Sequence, residues 1–323
     1  MRVFLTGANG WVGSVVARDL LDAGHAVVGL VRSKEKADAL AAAGVTPLLG
    51  SLADLDVLRG GAGDADGVIH TAFGLDFSKI VEMAEEERRA LETFAEVFAG
   101  SDRPIVVTGG VGLLPSGETF REDARPSIIP EFPRASEQTA FALAERGLRA
   151  SVVRLPRSVH GAGERHGFVP SLAAMARDKG VSAYVGDGQN LWPSVHRLDA
   201  ARVFRLAFER GARNEAFHAI AEQGVPYRLI AEAIGRQVGV PTKSLTPEEA
   251  EAHFGGFAMW VAGNGPASSE RTKAVLGWEP REMGIISDIE RPDYSERLAW
   301  SAPLIKWPER SMTAFRTEAL LRR

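Results

Sequence analysis

The chain has 323 residues, 45% apolar and 25% charged, an ordinary globular balance with core enough for one large or two interleaved domains. A net charge of −4 gives no electrostatic reason to expect nucleic acid or an anionic membrane as a partner, and no apolar stretch reaches bilayer-spanning length. The lack of cysteine excludes disulfides, thiolate nucleophiles and cysteine-ligated metals, and the seven histidines form no i,i+4 pair beside a carboxylate, so no metal site is expected.

The first apolar run, Val3-Phe4-Leu5, reads as a core strand, which a removable leader would destroy, so the expected location is cytoplasmic. It is followed by Thr6-Gly7-Ala8-Asn9-Gly10-Trp11-Val12-Gly13 and then by an amphipathic helix over 12–23, with Val12, Val15, Val16 and Leu20 at helical spacing and Gly24 closing it. A strand that turns sharply into a helix through three glycines is a phosphate cradle. Gly7 removes the Cβ that would obstruct the turn, Gly10 lets backbone N–H groups approach a pyrophosphate at the positive end of the helix dipole, and Gly13 permits close packing. The cofactor-binding set here is Gly7, Asn9, Gly10, Trp11, Val12 and Gly13. The second strand, 26–31, ends on Arg32, Ser33 and Lys34, where such folds read the adenosine ribose. A guanidinium there pairs with a 2′-phosphate, so Arg32 and Ser33, with Lys36, predict NADP(H) rather than NAD(H).

Further strands at 45–49, 67–72, 104–108 and 151–155 alternate with helices at about 33–43, 54–60, 78–99 and 135–147. That alternation predicts an α/β fold, a Rossmann-type doubly wound parallel sheet. The charges of 78–99 (Glu82, Glu85, Glu86, Glu87, Arg88, Arg89) read as a solvated helix face. After Leu155, glycines and prolines break up shorter elements, as expected of a smaller C-terminal substrate-binding lobe. The expected division is 1–155 as the dinucleotide-binding domain, with 199–221 returning to it as a helix near 199–211 and a strand near 215–220. Residues 156–198 and 222–323 form the lobe, and the stretch from Asp293 reads as a loosely attached tail.

Six ordered motifs resemble the extended and atypical branch of the short-chain dehydrogenase/reductase superfamily, the group of NAD-dependent epimerases and dehydratases. They are Gly7-x-x-Gly10-x-x-Gly13, His70-Thr71-Ala72, Arg154-Leu155-Pro156-x-x-Val159-His160-Gly161, Gly186-Asp187-Gly188-x-Asn190, Val195-His196-x-x-Asp199-Ala200-Ala201 and Leu276-Gly277-Trp278-x-Pro280. The resemblance implies that Thr71, Ala72 and Phe73 lie along the cofactor, that Ser51 and Leu52 flank the adenine, and that Pro156, Arg157, Ser158 and Val159 hold the nicotinamide carboxamide. His196 and Asp199 resemble the junction with the substrate domain, where they organise structure.

The chain departs from the family at the proton donor. Typical members use Tyr-x-x-x-Lys with a Ser or Thr. Here the three tyrosines, Tyr184, Tyr227 and Tyr294, are followed four residues on by Gly188, Ala231 and Leu298. Aligned on Ser136, the Tyr and Lys positions become Pro133 and Glu137; shifted by one they become Arg134 and Gln138, and Gly110 falls where the catalytic hydroxyl belongs. Substitute donors are Arg134, Ser136, Thr108 (also beside the cofactor) and His160, with water or an acidic substrate as a further proton source. The expected activity is NADPH-dependent hydride transfer to the carbonyl of an apolar or aromatic small molecule, its lobe supplying Phe168, Trp192, Phe254, Phe257, Met259 and Trp260. The alternatives are a nucleotide-sugar epimerase or dehydratase, and a catalytically silent NADP(H)-binding sensor or scaffold.

Overall fold

The computed structural model describes residues 1–74, 77–111, 118–125 and 136–292. Seven strands form one parallel sheet: β1 (Arg2–Thr6), β2 (Ala26–Val31), β3 (Thr46–Leu49), β4 (Gly67–His70), β5 (Pro104–Gly110), β6 (Arg149–Leu155) and β10 (Glu215–His218), in the order β10-β6-β5-β4-β1-β2-β3. The chain winds outward from β1 through β2 and β3, then returns to the other side of β1 and winds through β4, β5 and β6. The strand order therefore reverses between β1 and β4, and their carboxyl ends open the crevice where such sheets bind ligands.

The two-residue strand period divides the core. Val3 and Leu5 of β1 pack under α1 (Gly13–Asp22) and α7 (Arg197–Arg210), with Val16, Leu20, Phe204 and Phe208. Phe4 points the other way, toward α3 (Leu55–Gly63), α4 (Ile80–Phe98) and α5 (Ser136–Glu145), with Leu58, Leu91, Phe94 and Leu143. The remaining helix of this half, α2 (Lys34–Ala42), follows β2. The predicted strand 67–72 stops at His70, which frees Thr71 and Ala72 to turn toward the end of β1.

The charged face of α4 needs a correction. Glu82 and Glu86 are exposed, but Glu87 is fully buried, its carboxylate 3.5 Å from Nε2 of His70. Helical periodicity puts position 87 on the same inward stripe as Ala84, Leu91, Phe94 and Phe98, so spacing overrides residue type.

Beyond β6 come β7 (Ser158–His160), α6 (Phe168–Lys179), β8 (Ser182–Val185) and β9 (Leu191–His196); α7 and β10 then return to the main sheet. Next follow β11 (Glu222–Pro226), α8 (Tyr227–Val238), β12 (Thr242–Leu245), α9 (Pro247–Phe254), α10 (Ala258–Ala262), α11 (Glu270–Leu276) and α12 (Ile285–Ile289). The lobe has its own core, in which Trp192, Tyr227, Ile230, Ile234 and Ile285 are buried. The helix expected over 199–211 begins at Arg197 because His196 caps it, its Nδ1 accepting from the Leu198 N–H at 3.3 Å. The tail expected from Asp293 lies outside the described residues. Among those residues no helix is long and apolar enough to cross a membrane.

Candidate active site

The glycine loop is built by close approach. Gly7 sits at φ +74°, and the Gly10 N–H donates to its carbonyl at 2.8 Å. A Cβ on Gly13 would fall 2.1 Å from the Gly7 carbonyl oxygen, so only glycine lets α1 start this close to the turn. Thr71 Oγ1 donates to the Thr6 carbonyl at 2.8 Å and the Ala72 N–H to Thr6 Oγ1 at 3.4 Å, which ties the end of β4 to the same turn. A strand, a Cβ-free turn and a helix start at the sheet's switch point fit a dinucleotide pyrophosphate. Asn9 and Gly10 are exposed within this loop, and Trp11 and Val12 are half-buried.

At the end of β2, the β1–β2 register pairs Thr6 with Leu30, so Arg32 emerges two residues beyond the level of Thr6, where β1 ends. Arg32 and Lys36 are exposed; Ser33 caps α2, its hydroxyl accepting from the Lys36 N–H. Ser51 is bound up with its neighbour, its N–H and hydroxyl donating to Asp54 at 2.7 and 2.8 Å and holding that carboxyl below the usual range. Leu52 packs against the core beside it, and Phe73 is half-buried past β4.

At the end of β5, the Thr108 hydroxyl donates to the His70 carbonyl at 2.8 Å, and the Ser136 hydroxyl is 3.5 Å from the Thr108 carbonyl. Two of the four expected donors are thus brought together; Arg134 lies outside the described residues. Glu137, which takes the lysine position in one of the two alignments, is buried against Arg154, whose Nε donates to it at 2.9 Å. Arg154 is fully buried and also donates to the carbonyls of Arg121, Glu122 and Ala124. It meets His218 Nε2 at 3.0 Å, and burial, with Arg154 adding, pushes His218 down to about 3. His218 is therefore neutral, Nε2 accepting from Arg154 while Nδ1–H donates to the Ser268 carbonyl at 2.7 Å. The Glu137 carboxylate is thus taken up by its ion pair with Arg154.

A family model described as NAD(P)H-binding matches residues 7–182, starting on the first glycine of the loop. The chain belongs to the NAD(P)H-binding family. An uncharacterized protein of Schizosaccharomyces pombe is 45% identical over 295 residues, 91% of this chain and 100% of that protein. A 4-hydroxy-2-methyl-3-oxo-4-farnesyl-3,4-dihydroquinoline-1-oxide ketoreductase of Stigmatella aurantiaca is 28% identical over 277 residues, 81% of each. A sterol-4-alpha-carboxylate 3-dehydrogenase, decarboxylating, of Dictyostelium discoideum is 27% identical over 263 residues, 76% of this chain and 78% of that protein. The fold is that of the epimerase/dehydratase group of short-chain dehydrogenases/reductases. A nucleoside-diphosphate-sugar epimerase from Pseudomonas aeruginosa superposes with a TM-score of 0.74 at 16% identity, over 92% of this chain and 97% of that one.

In this NAD(P)H-binding chain the lobe closes onto the glycine loop through contacts that sequence reasoning missed. The Trp11 indole donates to the Val159 carbonyl at 2.7 Å, Arg197 lies 3.9 Å over the Trp11 ring, and its Nη2 donates to Ser14 Oγ at 3.1 Å. Arg197 thus puts a cation beside the glycine loop; its position directly after His196 of the junction motif was the available signal.

His160 is fully buried, its Nδ1 3.0 Å from Asp288 Oδ2 and its ring edge-on to His196 at 5.5 Å. Burial, with His160 adding, lowers the His196 pKa. Pro156 and Ser158 are buried and Val159 is half-buried, but Arg157 turns its guanidinium into the lobe, donating to the carbonyls of Trp260 at 3.2 Å and Gly263 at 2.7 Å. The aromatic set divides: Trp192, Phe254 and Phe257 belong to the lobe's core, Phe168 and Trp260 are half-buried, and Met259 is exposed.

Proposed function

We propose that this chain is an NADPH-dependent reductase that transfers a hydride to the carbonyl of an apolar or aromatic small molecule. The observation that carries the reading is the glycine cradle at the sheet's switch point, with exposed Arg32 directly after the neighbouring strand β2. A bound nicotinamide supplies the hydride; the chain's residues orient it and stabilise the charge that develops on the carbonyl oxygen. The Ser136 hydroxyl, whose one hydrogen bond among the described residues is a 3.5 Å contact to the Thr108 carbonyl, is the donor proposed to turn toward that oxygen, and one such donor is worth about 3–4 kcal/mol. Thr108 holds the strand end through His70, and water or an acidic substrate supplies the proton. His160 and Arg134 are the reserve donors. The ring systems in the names of the two relatives, a farnesylated quinoline and a sterol, support an apolar substrate.

The test is NADPH consumption by purified protein against a broad panel of ketones, aldehydes and quinones. Turnover with NADPH, reduced about 100-fold in Ser136→Ala with cofactor affinity kept, supports the reading. Tight NADPH binding with no turnover across the panel points to a silent binder, and persistently bound NAD released only on denaturation points to an epimerase-like enzyme.

A further inference from the structure

Arg157 is a cation whose charge nothing described balances. It directly follows Pro156, in the segment that the family resemblance sets against the nicotinamide, yet its side chain reaches into the lobe. There Nη1 donates to the carbonyls of Trp260 and Gly263, and the guanidinium lies 5.6 Å from the Trp192 ring and 5.9 Å from the Trp260 ring. Among the described residues no carboxylate pairs with it. Arg154, fully buried three residues earlier, has Glu137. Desolvation, with no charge among the described residues contributing, pushes Arg157 down to about 10.

A guanidinium drawn partly out of water keeps part of its desolvation cost unless an anion meets it, and among the described residues both carbonyls are met by Nη1, which leaves Nε and Nη2 without a protein acceptor. The aromatic walls favour a ligand with an apolar body. A single cation with no basic neighbour among the described residues matches one negative charge, whereas a phosphate dianion is better met by two cations. We infer that Arg157 is the anchor for a carboxylate on the substrate, so that the molecule presented to the nicotinamide is an oxo acid whose ring or chain lies against the half-buried Phe168 and Trp260. This deepens the reductase reading and rests on it for the word substrate; the anion site stands on Arg157 alone.

The test is binding before turnover. Titrations of the intact protein, with NADPH present and without, compare 4-phenylbutyrate, the neutral 4-phenylbutyramide and phenyl phosphate, followed by calorimetry and tryptophan fluorescence. The expected result is that the carboxylate binds about 10–100-fold more tightly than the amide, and that Arg157→Gln removes the difference by weakening the acid alone. Arg157→Lys, which keeps the charge without the fork, retains part of it. Equal affinity for acid and amide in the wild-type protein overturns the proposal, as does phenyl phosphate binding more tightly than the carboxylate. If Arg157→Gln does not fold, the wild-type comparison and the Lys variant still decide. Turnover of benzoylacetate and ethyl benzoylacetate then separates the two readings. Reduction of the ester as efficiently as the acid sinks the anchor and leaves the reductase; selective carboxylate binding without reduction of either sinks the reductase and leaves the anchor.

Discussion

The two halves of this molecule hold their sites together by different means. In the parallel-sheet half, the cradle is local: Gly7, Gly10 and Gly13 lie within seven residues, and the contacts that require glycine are made among themselves and with Thr71 at the next strand. Around the site in the lobe and at its junction, three polar groups find their partners far along the chain: Arg157 with Gly263, His160 with Asp288, Arg197 with Ser14. Local geometry of the first kind tolerates no added atom. Long-range pairing of the second kind tolerates substitution if charge and hydrogen bonds are kept.

The sharpest way to break this contrast is to add one carbon to the cradle. Gly13→Ala places a methyl 2.1 Å from the Gly7 carbonyl oxygen, so the loop must shift, and NADPH affinity by calorimetry is expected to fall at least about 100-fold. Retained affinity would mean that the cradle is not the cofactor site. Next in size is the buried pair at the foot of the site. Glu137→Ala leaves Arg154 buried and uncompensated, at a cost of about 3–5 kcal/mol in denaturant unfolding, while Glu137→Gln keeps an acceptor and costs less. Equal losses in both variants would mean that packing, not charge, holds the pair.

The smaller effects concern single charges. Arg32→Asp is expected to weaken NADPH by roughly 10–100-fold and to improve NADH relative to it, because a 2′-phosphate then faces a carboxylate. An unchanged ratio would make Arg32 a solvated cap. His218 predicts a pH dependence. Its folded-state pKa is about 3 against an ordinary 6.5, so the unfolded chain binds a proton that the folded one refuses between those values. Its contribution is fully present above about pH 6.5 and is lost as pH falls, by about 1.4 kcal/mol per unit. His196, also lowered, acts in the same direction. In His218→Gln the fall in unfolding free energy between pH 7.5 and 5 should be shallower; an unchanged slope would assign it to other groups.

The same contrast decides what could be read from the sequence. The switch-point sheet and its glycine loop were legible because the causes are local: Val3, Phe4 and Leu5 alternate between two cores, and three glycines mark one turn. The burial of Glu87 was hidden because its charge suggests solvent while its helical position points inward to His70. In the lobe, β7 has three residues and no period to read, so neither the Asp288 partner of His160 nor the turn of Arg157 away from its own segment could be derived from spacing. The aromatic residues looked alike in sequence, and only packing separates buried Trp192 from half-buried Trp260.

The most direct measurement follows one hydrogen. The protein is mixed with NADPH deuterated on the transferred position of C4 and with each member of the carbonyl panel, and the products are read by mass spectrometry and NMR. The account predicts an alcohol carrying deuterium on the former carbonyl carbon, with NADPH consumed in equal amount. Cofactor bound tightly and no deuterium in any product would contradict it.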